Sequence, residues 1–185
     1  MNMKQIVNLL FEARILKDIN RSGYAFLGNG RESIAEHSFM TAFICFVMAG
    51  MDDTVDAERL VAMALVHDLA EARTGDLNYV EKRYSKPDEA KAVSHLTRQI
   101  PFGVNIKKLI DEFNASETRE AELANDADQI SFVLELKKLS DTGAKGPEKW
   151  LPVVIDRIKT DIGRQMAKDI METSWDEWWQ MDYSE

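Results

Sequence analysis

The stretch VHDLAEARTGD, from Val66 to Asp76, gathers His67, Asp68, Glu71 and Asp76 inside an otherwise apolar pattern. Read as a helix, it sets His67 four residues and Asp68 three residues from Glu71, so the three side chains share one face near the helix end. The flanking Met63, Ala64, Leu65, Val66, Leu69 and Ala70 turn that face toward the core instead of toward open solvent. Buried carboxylates are costly there unless a cation or strong donors compensate, and a metal ion would do so. Imidazole with carboxylate suits Mn, Co, Ni, Zn or Fe, whereas Ca and Mg prefer oxygen alone. A His-Asp pair by itself is more commonly a surface histidine beside a capping carboxylate than a ligand pair. The histidine distribution favours the metal: of the three, His37, His67 and His95, two lie in polar clusters at expected helix ends, AEHS and VHDLAE.

The elements that must position these groups are helical. Apolar residues recur at three- and four-residue spacing almost throughout, as in Ile6, Leu9, Leu10, Ala13 and Leu16, and no long alternating strand pattern appears. Ser33 and Glu36 form a capping box, predicting a helix from about Ile34 to Ala49 that stops at Gly50 and carries His37 in its first turn. Asp56 caps a second, through Ala57 to about Ala72, closed by Gly75. Pro87 suits the first turn of a third helix reaching about Ile100, ended by Pro101 and Gly103. A short piece covers Ile106 to Phe113, and Ser116 or Thr118 starts a long helix to Leu139. A last helix runs from about Glu148 to Met171, beyond Gly143, Gly146 and Pro147. No internal repeat, low-complexity tract or linker interrupts the 185 residues, which are expected to form one domain.

Composition narrows the partners. Hydrophobic residues at 45% and charged residues at 30% are ordinary for a folded soluble protein. The formal charge of -9 argues against a groove that tracks a nucleic-acid polymer, which needs clustered Lys and Arg. A small anionic substrate held by a metal is compatible with it. The longest apolar run, around Phe39 to Met51, is too short to span a bilayer and no signal-peptide pattern is present, so the expected location is cytoplasmic, with no membrane partner. The single cysteine, Cys45, lies in that run and reads as a buried small hydrophobe.

Taken together, RESIAEHSF, then ALVHDLAEARTGDL, then ANDADQI resemble the HD-domain metal-dependent phosphohydrolases, over about Arg14 to Leu139. More narrowly, INRSGY before AEHS and the HD…E…TGD block resemble the HD-domain 5'-deoxynucleotidases, which remove phosphate from deoxynucleoside 5'-monophosphates. The resemblance implies an all-α, single HD-domain helical bundle, a homodimer, and a nucleotide as the small-molecule partner. It also implies a single divalent transition metal held by His37, His67, Asp68 and a late aspartate. Periodicity leaves Asp126 and Asp128 both open for the last ligand, since each flanks apolar positions; the resemblance of ADQISFV favours Asp128.

The same resemblance makes Glu71 a general acid or base close to, but not on, the metal, acting on the attacking water or on the leaving 5'-oxygen. Asp76 is implied to help hold or protonate the nucleotide, and Arg21 to meet the phosphate. Without the resemblance, Glu71 is a helix-end charge, Asp76 a turn residue bonding its own backbone, and Arg21 a surface residue. Ser22 stands where some bacterial members carry a tryptophan beside the sugar, which leaves sugar selectivity open. His95 has no counterpart in the mononuclear pattern and is expected to pack or face solvent. Trp175, Trp178 and Trp179 read as core or subunit contact in preference to base stacking, and Lys82 and Arg83 as a solvated patch. Two rival readings are an HD phosphohydrolase acting on a triphosphate, cyclic nucleotide or alarmone, and a non-catalytic metal-stabilised regulatory module. Intact Glu71 and Arg21 disfavour the second.

Overall fold

The computed structural model describes residues 2–182. Among them the chain forms nine α-helical segments and three short 3-10 turns, and its strand-like pairing is the isolated antiparallel bridge between Asn20 and Ser33. The helices are α1 (Met3–Ile15), α2 (Ile34–Ala49), α3 (Ala57–Val66), α4 (Glu71–Thr74), α5 (Glu89–Thr97), α6 (Gly103–Ala115), α7 (Arg119–Asp141), α8 (Pro147–Ile155) and α9 (Asp161–Glu172). The all-α expectation holds. No helix among the described residues is long and apolar enough to cross a membrane.

Side-chain caps fix most of the starts. Ser33 Oγ accepts from Glu36 N at 3.2 Å while Ser33 N donates to Glu36 Oε2 at 2.7 Å, so α2 begins and ends where the sequence predicts. Asp56 caps α3 through Arg59 N at 3.0 Å, and Thr118, not Ser116, caps α7 through Ala121 N at 3.2 Å. Ser116 instead closes α6 in the left-handed conformation, at φ 52°. Pro87 lies outside α5, whose cap is Asp88, and α6 extends beyond the expected short piece at both ends.

Two apolar cores explain the layout. The larger is built on α7, which packs against α2, α3, α6, α8 and α9. Cys45 and Met48 of α2, Leu60, Met63 and Ala64 of α3, and Ile130 and Val133 of α7 lie inside it. The smaller joins Leu9 and Leu16, in and just after α1, with Ile34, Leu69, Ala70, Val93 and Leu96.

The chain crosses from the first core to the second between Ala64 and Leu69, and there the expected helix to about Ala72 fails. It ends at Val66 and resumes as the single turn α4. Between them Leu69 N donates to Val66 O and Glu71 N to Asp68 O, each at 3.0 Å, a tightened three-residue spacing in place of the four-residue ladder. His67 and Asp68 therefore sit on the tightened link between two helices, a correction to their expected common helix face with Glu71.

The expected helix from Glu148 to Met171 also divides, into α8 and α9. Asp126 of α7 is the cause: its Oδ1 accepts from Lys159 N at 2.8 Å and its Oδ2 from Thr160 N at 2.7 Å, pinning the interhelical turn. Thr160 then caps α9 through Gly163 N at 3.0 Å. A Cβ at Gly163 would stand 2.5 Å from Asp126 Oδ2, so glycine permits this approach.

Candidate active site

Five segments converge where the two cores meet. The capping box starts α2 so that His37 points inward from its first turn, with no solvent exposure. The tightened link supplies His67 and Asp68, α4 begins with Glu71, and α7 brings Asp128 across from the opposite wall. Arg21 arrives from the loop before α2, where Arg21 N donates to Glu32 O at 2.8 Å beside the Asn20–Ser33 bridge. That pairing holds the arginine next to the start of α2.

The distances are short. His37 Nε2 lies 2.9 Å from Asp128 Oδ1 and 3.7 Å from Asp68 Oδ2, and His67 Nε2 lies 3.2 Å from Asp68 Oδ2. One potential ligand atom from each of His37, His67 and Asp128 falls within 4.8 Å of the other two. Arg21 Nη1 reaches Asp68 Oδ2 at 3.4 Å, and Nη2 stands 4.0 Å from Asp128 Oδ1. Asp128 therefore belongs to the cluster, whereas Asp126 is spent on the α8–α9 turn.

Hydrogen bonds set the imidazoles. His67 Nδ1 lies 2.6 Å from Ala64 O, which can only accept, so the proton of a neutral ring is on Nδ1 and the Nε2 lone pair faces Asp68. Nε2 is buried with no hydrogen-bond partner. His37 Nδ1 lies 3.3 Å from Ser131 Oγ, one turn beyond Asp128, which can take its N–H and free Nε2 toward Asp128 in the same way. Acceptors thus face acceptors, and a cation is what such a donor set lacks. The residues fit a divalent metal with mixed nitrogen and oxygen ligation. A proton can stand in: burial opposes charge on His67, but the neighbouring Asp68 outweighs it and lifts the imidazole to about 9. For Asp128 burial works against ionisation, yet the His37 hydrogen bond and charge hold the carboxyl well below the usual carboxylate range.

Glu71 differs from the two aspartates. Burial first, then the charges of Asp68 and Asp76, push its carboxyl up to about 9, and its Oε2 is buried without a partner. Asp76 does not bond its own backbone; its Oδ2 accepts from Ser22 N at 2.8 Å, tying the turn after α4 to the 3-10 turn that follows Arg21.

From Arg21, Asp76 and Asp128 a cleft of about 460 Å³ opens outward. Its far walls carry Tyr79, Lys82, Phe132, Lys149, Trp150 and Arg157, of which the sequence had pointed only to Lys82, as part of a solvated patch. The signal was present: Lys149, Trp150, Val153 and Arg157 recur at helical spacing, but no pattern tied that face to residues near position 21. Arg83 lies over the Tyr79 ring, 6.0 Å from its centroid. His95 is exposed on α5 and lines a separate hollow with Glu12 and Arg73. Trp178 and Trp179 are 63% and 48% exposed, so they are not core residues, and Trp175 and Trp178 line an apolar groove against α2 and α9 away from the cluster.

A family model described as the HD domain matches residues 13–171. The chain belongs to the HD-domain family. Among its HD-domain relatives, human 5'-deoxynucleotidase HDDC2 is 27% identical over 132 residues, covering 68% of this chain and 64% of that protein. A 5'-deoxynucleotidase of Klebsiella pneumoniae is 31% identical over 141 residues, covering 68% of this chain and 69% of its own. The chain thus spans somewhat less than two thirds of the human relative's length. Among solved structures, a conserved hypothetical protein from Pyrococcus furiosus superposes with a TM-score of 0.78 at 26% identity, covering 90% of this chain and 99% of that one.

Proposed function

We propose that the chain is a metal-dependent phosphomonoesterase that releases phosphate from nucleoside 5'-monophosphates, with deoxyribonucleotides preferred. The observation that carries this reading is the pair of orphaned buried atoms, His67 Nε2 and Glu71 Oε2, beside two aspartates at the inner end of an open cleft. The deoxynucleotidase names of relatives at 27% and 31% identity support the nucleotide.

A divalent metal held by His37, His67, Asp68 and Asp128 would supply positive charge beside a phosphoryl oxygen and a more acidic water. The chain's own groups do the rest. Arg21, already drawn toward Asp68 and Asp128, offers a forked donor to the phosphoryl oxygens and offsets the charge that develops on them. Asp68 orients the attacking water. Glu71, whose carboxyl burial and the neighbouring acid charges raise, gives its proton to the 5'-oxygen as the P–O bond breaks and the bond's electron pair passes to that oxygen. A proton lost by the attacking water restores the carboxyl. Asp76 holds the Ser22 turn so that Arg21 faces the phosphate, and lines the same cleft, where it can help hold the nucleotide.

The test is phosphate release over a panel of nucleotides with Mn or Co, against a chelated control. Turnover of 5'-monophosphates that vanishes with the chelator is expected; preference for a triphosphate or cyclic nucleotide would reject the substrate. Matched deoxy and ribo monophosphates test the sugar, where exclusion of a buried, unpaired 2'-hydroxyl is worth about 1–3 kcal/mol, or roughly ten- to a hundredfold in kcat/KM. We also take the working form as a cytoplasmic homodimer. The exposed row Phe39, Phe43 and Phe46 on α2, with neighbouring ring centroids 6.3 Å apart, supports a second copy as partner. Sedimentation showing a monomer at micromolar concentration would remove that part.

A further inference from the structure

We propose that Trp150 is the nucleobase platform of the cleft, a specificity-determining residue that makes the chain select nucleotides over other phosphomonoesters without choosing among bases. The inference rests on the phosphomonoesterase reading above and names what fills the outer half of the same cleft.

Trp150, on α8, lines the cleft together with Tyr79. Its indole is braced on two sides. The Phe132 ring meets it edge-on with centroids 6.0 Å apart and planes at 82°, and the Phe26 ring lies nearly parallel at 6.4 Å and 27°. Phe26 in turn contacts Tyr79 at 5.2 Å. The platform is therefore held before any ligand arrives, which lowers the entropy lost on binding. The indole packs against the larger core on one side, and what remains of its surface lines the open cleft.

The charges agree. Acid groups line the inner end, as Asp76 and Asp128, whereas the ionisable residues of the outer walls are Lys82, Lys149, Arg157 and Tyr79. In a chain of net charge -9, a cationic rim marks where an anionic substrate enters, and it steers the phosphate inward past the indole. With the phosphate at Arg21, the remainder of the substrate extends along the Trp150 wall. Stacking reads a π-face that every base possesses, so it adds affinity for any nucleoside while leaving adenine, guanine, cytosine and thymine nearly equal.

The decisive comparison is between dAMP and 2-deoxyribose 5-phosphate, which shares its phosphate and sugar and lacks the base. In the manganese-loaded wild type the ratio of kcat/KM for the two is expected to favour dAMP. Trp150→Leu, which keeps apolar bulk against the core, should lower that ratio about tenfold, through KM, and Trp150→Phe should restore most of it. The same ordering is expected for equilibrium binding of dAMP to these variants in a Glu71→Gln background, where turnover does not interfere. A ratio unchanged in Trp150→Leu, or one that falls in Trp150→Phe as far as in Trp150→Leu, overturns the platform. A wild type that hydrolyses no nucleotide defeats the phosphomonoesterase reading instead, while dAMP binding still reports on the indole.

Discussion

Two buried polar sites flank α7, and they are built on opposite terms. At one, Asp126 is 1% exposed and both its oxygens take backbone N–H groups, from Lys159 and Thr160. At the other, two residues along the same helix, Asp128 faces His37 across 2.9 Å in a neighbourhood where His67 Nε2 and Glu71 Oε2 find no partner. The first site is complete within the chain. The second has more acceptors than the chain has protons for, and burial makes that deficit expensive. Satisfied buried carboxylates hold the fold here, and unsatisfied ones wait for something the chain does not encode.

The sharpest break of this comparison is a pair of equal substitutions. Asp128→Asn, like His67→Ala, should abolish bound metal and with it activity, because a buried donor set of this size does not tolerate the loss of one member. Asp126→Asn should leave a full equivalent of metal. Metal analysis of the purified variants decides, and metal loss in Asp126→Asn with retention in Asp128→Asn would reverse the assignment of the two sites.

Glu71→Gln comes next in size. It keeps the carboxyl's shape but cannot hand over a proton, so kcat should fall by roughly two to four orders of magnitude with metal content and thermal stability nearly unchanged. Near-wild-type kcat would return Glu71 to a helix-end charge.

Smaller, and on the other side of the comparison, Asp126→Asn should cost about 2 kcal/mol of unfolding free energy, since the new amide meets one backbone N–H with a donor of its own. Chemical denaturation measures it. Loss of structure should concentrate at the α8–α9 turn, whose two N–H groups the carboxylate holds.

An effect that grows with pH, small over any one pH unit, concerns Glu32, which is 5% exposed and falls between the two types. Burial raises its carboxyl to about 7 despite the opposing charge of Arg21, with the Tyr24 hydroxyl 3.4 Å from Oε2. Its ordinary value is 4.5. Between these values the folded chain keeps a proton that the unfolded chain has released, so stability falls as pH rises through that window. Glu32→Gln, which needs no proton, should flatten that fall by about 1 kcal/mol per pH unit, and denaturation series at pH 5 to 7 would reveal the change in slope.

The sequence was most legible where local chemistry decides. The α2 box of Ser33 and Glu36 and the caps Asp56 and Thr118 were readable because each rests on side chain and backbone only three residues apart. His37, His67, Asp68 and Asp128 were named by their motif and do come together. What escaped was set by distant partners. Nothing near His67 announces that the chain must change cores there, so one helix was expected where two and a tightened link exist. Asp126 and Asp128 looked alike because periodicity reports burial and says nothing about which neighbour waits on each side of α7. Trp150 lies far in sequence from Arg21, and only the folding of α8 over the 3-10 turn makes them line one cleft.

The crossing between the two cores has a thermodynamic consequence. Asp128 is carried by a helix of the larger core, and Asp68 lies on the segment whose next residues, Leu69 and Ala70, are buried in the smaller one. His37 stands on α2, whose Ile34 belongs to the smaller core and whose Cys45 and Met48 belong to the larger. A cation held by all three would add a second tie between the two cores, beside α2 itself. An opening that parts Asp68 from Asp128 would then require its release, so amide exchange through that opening slows by the factor that mass action sets for the bound ion. Stripped of metal, the link from His67 to Ala70 is expected to exchange faster than in the loaded chain.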